Sequence, residues 1–133
     1  MRKIFLIFIL SFLLNLIWEN LHSYLYTSYM GQKITEAILL RASFVDAWII
    51  TMVAIPFFYI AFFKKRTWLI IIIGVLISIF IELYAMNTGR WLYNGYMPII
   101  PLLNIGITPT IQLGLLGYLS YIIVSKITNR PTS

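Results

Sequence analysis

Thr67-Trp-Leu-Ile-Ile-Ile-Ile-Gly-Val-Leu-Ile-Ser-Ile-Phe-Ile-Glu-Leu-Tyr-Ala-Met86 decides the fold. It holds one charged residue, Glu82, in a run long enough to cross roughly 30 Å of bilayer hydrocarbon, which takes about 20 helical residues. Three further stretches read the same way, at residues 4–24, 44–63 and 108–127. A chain that is 61% hydrophobic and 11% charged has too little polar surface to cover a water-soluble globule of its size. The expected fold is all-α, an integral membrane four-helix bundle forming one transmembrane domain over residues 1–133.

The basic residues give the bundle a direction. Arg2, Lys3, Lys64, Lys65, Arg66, Lys126 and Arg130 flank spans on one side, and the positive-inside rule places that side in the cytoplasm with both termini. Lys33, Arg41 and Arg90 remain outside. The net charge of +6 is therefore read as anchoring and as attraction for anionic membrane lipids, not as nucleic-acid binding. The localisation expected is the cell membrane, multi-pass. The run after Arg2 and Lys3 has a signal-peptide beginning, but no small-x-small site follows and the apolar pattern continues to Tyr24, so the first span is expected to stay. With no cysteine there are no disulfides, thiolate nucleophiles or iron–sulfur clusters.

The connections differ in kind. Residues 25–43 carry Ile34, Ala37, Ile38, Leu39 and Leu40 at helical spacing, which predicts a short interfacial helix. Residues 64–66 are too few to let the second and third spans be anything but antiparallel neighbours. Pro56 predicts a bend in the second span. Residues 87–107 combine Gly89, Gly95, Pro98, Pro101 and Gly106 with many apolar side chains, so they read as a partly buried outer loop folded over the bundle or as an aromatic belt at headgroup depth. No internal repeat is visible.

Polar groups inside hydrocarbon are costly and mark functional candidates. At about 1.5 Å per residue, Glu19 lies roughly 22 Å into the first span. Glu82, Asp46 and Gln112 reach a similar level from the other spans. Asn15, Glu19 and His22 share one helical stripe, as do Ser78 and Glu82. Three chemistries are open. Ion pairs of Glu82 with Arg90, and of Asp46 with Arg41 or His22, would fix the bundle. The Glu-x-x-His spacing of Glu19 and His22 is that of bundle metal sites, although such centres use it twice and this chain has one histidine, so no metal ligands and no cofactor are assigned. Acid catalysis by Glu19, Asp46 and Glu82 is the third, since a carboxyl in apolar surroundings can stay protonated. Trp18, Trp48, Tyr84, Trp91 and Tyr93 would line the pocket.

Asn15-Leu-Ile-Trp-Glu19, Asp46, Glu82, Gly89-Arg-Trp-Leu-Tyr-Asn-Gly-Tyr-Met-Pro-Ile-Ile-Pro101 and Ile105-Gly-Ile-Thr-Pro-Thr-Ile-Gln112 together resemble a family of small uncharacterised bacterial four-span membrane proteins. The likeness covers most of the chain. It implies the fold, the segment boundaries and a bacterial inner membrane, and no reaction. Asn15, Trp18 and Glu19 also resemble the Asn-x-x-Trp-Glu segment of membrane-bound terpene cyclases of fungal meroterpenoid pathways, where the acid is implicated in protonating the isoprenoid. Those enzymes have about seven spans, so the likeness implies a homodimer or a reduced site here. Gly89-Arg-Trp-Leu-Tyr93 is similar to an element of lycopene-cyclase-type domains, whose paired glutamates are missing.

The expected function is an outer-leaflet pocket for an apolar small molecule, lipid-like or isoprenoid, with acid chemistry on it. Glu19, Asp46 and Glu82 are the catalytic candidates, and Asn15, Trp18, His22, Arg90, Trp91, Tyr93 and Gln112 the substrate-binding ones. The alternatives are a non-catalytic membrane subunit or small transporter-like protein with structural carboxylates, and a membrane metal-binding protein.

Overall fold

A computed structural model describes residues 1–129. Arg130, counted among the cytoplasmic cations, lies outside the described residues. The protein is an all-α four-helix bundle: α1 (Arg2–His22), α2 (Glu36–Tyr59), α4 (Leu69–Asn87) and α5 (Ile107–Thr128) are joined by a one-turn α3 (Ala61–Lys64) and short strands. The four long helices are long and apolar enough to cross a membrane, with mean hydropathies of 1.5 to 2.6 over their most apolar windows.

Toward the strand-bearing end the helices are polar inside and apolar outside. Along α1, Asn15 and Glu19 are 0% and 6% exposed while Leu13 and Ile17 are 50% and 58% exposed. Water would drive the reverse arrangement, whereas lipid accepts Leu and Ile outside and leaves the polar atoms to find partners within.

α2 departs from expectation at both ends. The spacing at Ile34 to Arg41 is not a separate interfacial helix. It is the start of α2, capped by Thr35, whose Oγ1 accepts from Ile38 N at 3.4 Å, and no glycine or proline separates it from the span. At the other end Pro56 removes a helix donor, α2 stops at Tyr59, and Ile60 is extended before α3 begins.

Two halves share one order, α1–β1–α2 and α4–β2–α5, with β1 (Tyr26–Tyr29) antiparallel to β2 (Trp91–Tyr93). The buried positions of α1 (Ile7, Ser11, Asn15, Glu19, His22) and of α4 (Ile70, Gly74, Ser78, Glu82, Ala85) have identical spacing, with glutamate fourth in each. This internal correspondence was not expected; only the buried stripe carries it, and flanking apolar residues obscure it. A second ribbon, β3 (Ile99–Ile100) against β4 (Ile105–Gly106), folds residues 87–107 back so that Met97 and Ile105 are buried. The partly buried loop is thus present, with strand pairing.

α1 packs on α2, α4 on α5, and α1 also on α5, whereas α2 and α4 meet only sparingly. The helices joined by the short 64–66 connection are thus in contact, although their contact is slight. Gly74 and Gly114 pull α4 onto α5 instead: a Cβ at Gly114 would lie 2.5 Å from Ile71 O, and one at Gly74 would strike the Gly114 backbone. The apolar core, with Ile50, Phe57, Leu116 and Val124, fills the half of the bundle away from the strands.

Candidate functional site

At the strand-bearing end the polar stripes of all four helices meet. Asn15 donates from Nδ2 to Ser11 O at 2.7 Å, which turns its Oδ1 toward α5. There Gln112 Nε2 lies 2.8 Å from Asn15 Oδ1, 2.8 Å from Glu19 Oε1 and 2.9 Å from Asp46 Oδ2. One amide nitrogen carries two hydrogens, so these three acceptors share them. Gln112 thus brings the Glu19 and Asp46 carboxyls to one amide nitrogen.

Glu19 Oε2 is held by His22 Nε2 at 3.0 Å, and His22 Nδ1 meets Thr108 Oγ1 at 3.1 Å. The ring stands edge-on to Tyr26, centroids 5.3 Å apart. Across the bundle Tyr93 donates to Glu82 Oε2 at 2.5 Å and accepts from Gly106 N at 3.0 Å, which ties the 87–107 segment to α4. Burial, reinforced by the bond to Glu82, pushes the Tyr93 phenol well above its ordinary range, so it stays a neutral donor. Burial, and then the charge of Glu82, raises Tyr26 in the same sense. One turn below Glu82, the buried Ser78 hydroxyl has no partner among the described residues.

These groups surround a cleft of about 400 Å³ lined by Glu19, His22, Asp46, Ser78, Glu82, Arg90, Trp91 and Gln112, together with Tyr26, Tyr29 and Arg41. Seven of the ten residues expected at the site line it. Asn15 lies beneath, reaching it through Gln112, and Tyr93 reaches it through Glu82. Trp18 does not: it packs beside the apolar core, its Nε1 unpartnered among the described residues. Trp48 and Tyr84 are exposed on the outside of the bundle. Tyr26 and Tyr29 were missed, because a four-residue strand paired with a segment more than sixty residues away leaves no periodic signal.

The expected arginine–carboxylate pairs are not formed. Glu19 Oε2 instead meets His22 Nε2 at 3.0 Å, on the same helix face, a contact that is an ion pair only when the imidazole is protonated. Arg41 donates to Tyr29 Oη at 3.1 Å and lies over that ring, and Arg90 lies 5.2 Å over Tyr84. Arg41 lies in the second turn of α2 and Arg90 just beyond the end of α4, while Gln112 meets Asp46 Oδ2 and Tyr93 meets Glu82 Oε2. Nor does the Glu-x-x-His spacing make a metal centre, since no group of three His, Cys, Asp or Glu among the described residues is placed to hold an ion. Glu19 and His22 spend their polar atoms on one another, on Gln112 and on Thr108.

Comparisons with protein-family models, with curated proteins and with solved structures give no match.

Proposed function

We propose that this protein sits in the cell membrane with both termini in the cytoplasm, and that its cleft takes up a lipid-like or isoprenoid molecule and protonates it. The observation that carries this reading is where the cleft opens. We place the opening at the sparse seam between α2 and α4, because Val45 and Ile81 line the cleft while being exposed on the outside of the bundle. A molecule dissolved in the bilayer can enter sideways there and meet the Glu19 and Asp46 carboxyls, which face one Gln112 amide nitrogen. In the chemistry proposed, the carboxyl O–H breaks as a C–H bond forms on an alkene carbon of the guest. The carboxylate left behind recovers a proton from a neighbouring carbon, so the double bond moves and nothing is consumed. His22 and Thr108 connect Glu19 to the strand-bearing rim for proton exchange. Tyr26 and Trp91 offer ring faces to the developing cation.

A second reading rests on the same hydrogen bonds: Gln112 joins α1, α2 and α5, so the acids could serve only to hold a non-catalytic subunit together. Glu19→Gln separates the two. It keeps the shape and removes the acidic proton. The catalytic reading expects turnover of a bound prenyl lipid, followed by mass spectrometry, to fall by at least about 100-fold with thermal stability in detergent little changed. A purely structural carboxylate would show lower thermal stability on this substitution, with no turnover of the prenyl lipid by the wild type.

A further inference from the structure

Resting on the reading of the cleft as a lipid site, we infer that the molecule it holds carries a phosphate group, bound by Arg41 and Arg90. Both residues line the cleft, with the Arg41 guanidinium over the Tyr29 ring and that of Arg90 over the Tyr84 ring. The β1–β2 ribbon fixes both on one rim. Arg90 O accepts from Met30 N at 2.7 Å and Arg90 N donates to Ala85 O at 2.9 Å, while Arg41 is bonded to Tyr29, whose ring packs on Trp91 at 4.6 Å. Their charge is uncompensated. Neither forms an ion pair among the described residues, and both Glu19 oxygens, Asp46 Oδ2 and Glu82 Oε2 are engaged by His22, Gln112 and Tyr93. Each guanidinium has five N–H donors, and the structure commits one of Arg41's, to Tyr29. Two planar forks at one rim suit the tetrahedral oxygens of a phosphate, which accepts bidentately from each.

The depth order agrees. The arginines stand near the helix ends, Glu82, Asp46 and the free Ser78 hydroxyl lie further in, and Val45 and Ile81 lead out to the hydrocarbon. A phosphate on the rim would place the first carbons of its chain against the acids and the tail through the seam. An uncharged terpene would leave both arginines without a role.

The test uses the full chain in detergent micelles with farnesyl phosphate and farnesol as probes, binding being read by native mass spectrometry and with inorganic phosphate as competitor. Farnesyl phosphate should bind at least about tenfold more tightly than farnesol. Inorganic phosphate should displace it only at a large excess. Arg41→Gln combined with Arg90→Gln should erase the preference while leaving farnesol binding intact, which also reports that the variant is folded. Equal binding of the two probes by the wild type would overturn the phosphate inference and leave the lipid site standing. Inorganic phosphate competing on equal terms would overturn the lipid source of the phosphate. A preference that survives in the double variant would overturn the role of the arginines. Binding of neither probe would overturn the lipid-site reading itself.

Discussion

Gln112 is the side chain on which the site turns. Its amide faces Asn15, Glu19 and Asp46 from three directions, so truncation leaves three buried or partly buried oxygens short of a donor. Gln112→Leu fills the volume without donating, and each buried polar atom stranded in this way costs about 1–3 kcal/mol. Gln112→Leu should therefore lower the detergent unfolding midpoint clearly more than Leu115→Ala on the exposed face of the same helix. Equal midpoints would mean that the cluster is satisfied by water. At this scale the sequence was informative about which residues matter, because a carboxyl or amide within an apolar run stands out at once. It was poor at assigning partners. Glu82 found Tyr93 rather than Arg90, because pairing is set by helix rotation and by a loop whose path no local pattern encodes.

Among the elements, the spans were legible and their pairing was not. Hydropathy located four helices to within a few residues, except where α2 absorbed the preceding connection. Which helices press together depends on Gly74 and Gly114, two glycines forty residues apart whose backbones touch. Gly114→Val puts two methyl groups where Ile71 O and the α4 backbone already stand, and must push α4 off α5. Overpacking of this kind costs about 1–3 kcal/mol. The expected result is a lower unfolding midpoint for Gly114→Val and none for Gly95→Ala, where nothing stands within 4 Å of an added Cβ. The antiparallel β1–β2 ribbon escaped the sequence reading for a related reason. Its strands are short, its register shifts between Tyr26 and Ser28, and its stability comes from rings stacked across the pair, Tyr26 and Tyr29 on Trp91.

For the whole molecule, the two halves pack with unequal seams, α1 closely on α5 and α2 loosely on α4, and the proposed opening lies at the looser one. The proposed side of the membrane on which it opens rests on the positions of the cations, and the cysteine-free sequence makes this easy to test. Lys33→Cys and Gly95→Cys should react with an impermeant maleimide in intact cells, and Lys65→Cys only after lysis; the opposite pattern would invert the topology. The seam makes a separate claim about access. Val45 and Ile81 face outward, so enlarging them should not disturb the core. The double variant Val45→Trp with Ile81→Trp should therefore keep the wild-type unfolding midpoint while slowing uptake of farnesyl phosphate from vesicles by about tenfold or more, because the guest must pass between those two side chains. If uptake keeps its wild-type rate, the guest enters from the strand-bearing rim, past Arg41 and Arg90, and the unequal packing of the halves serves some purpose other than admission of lipid.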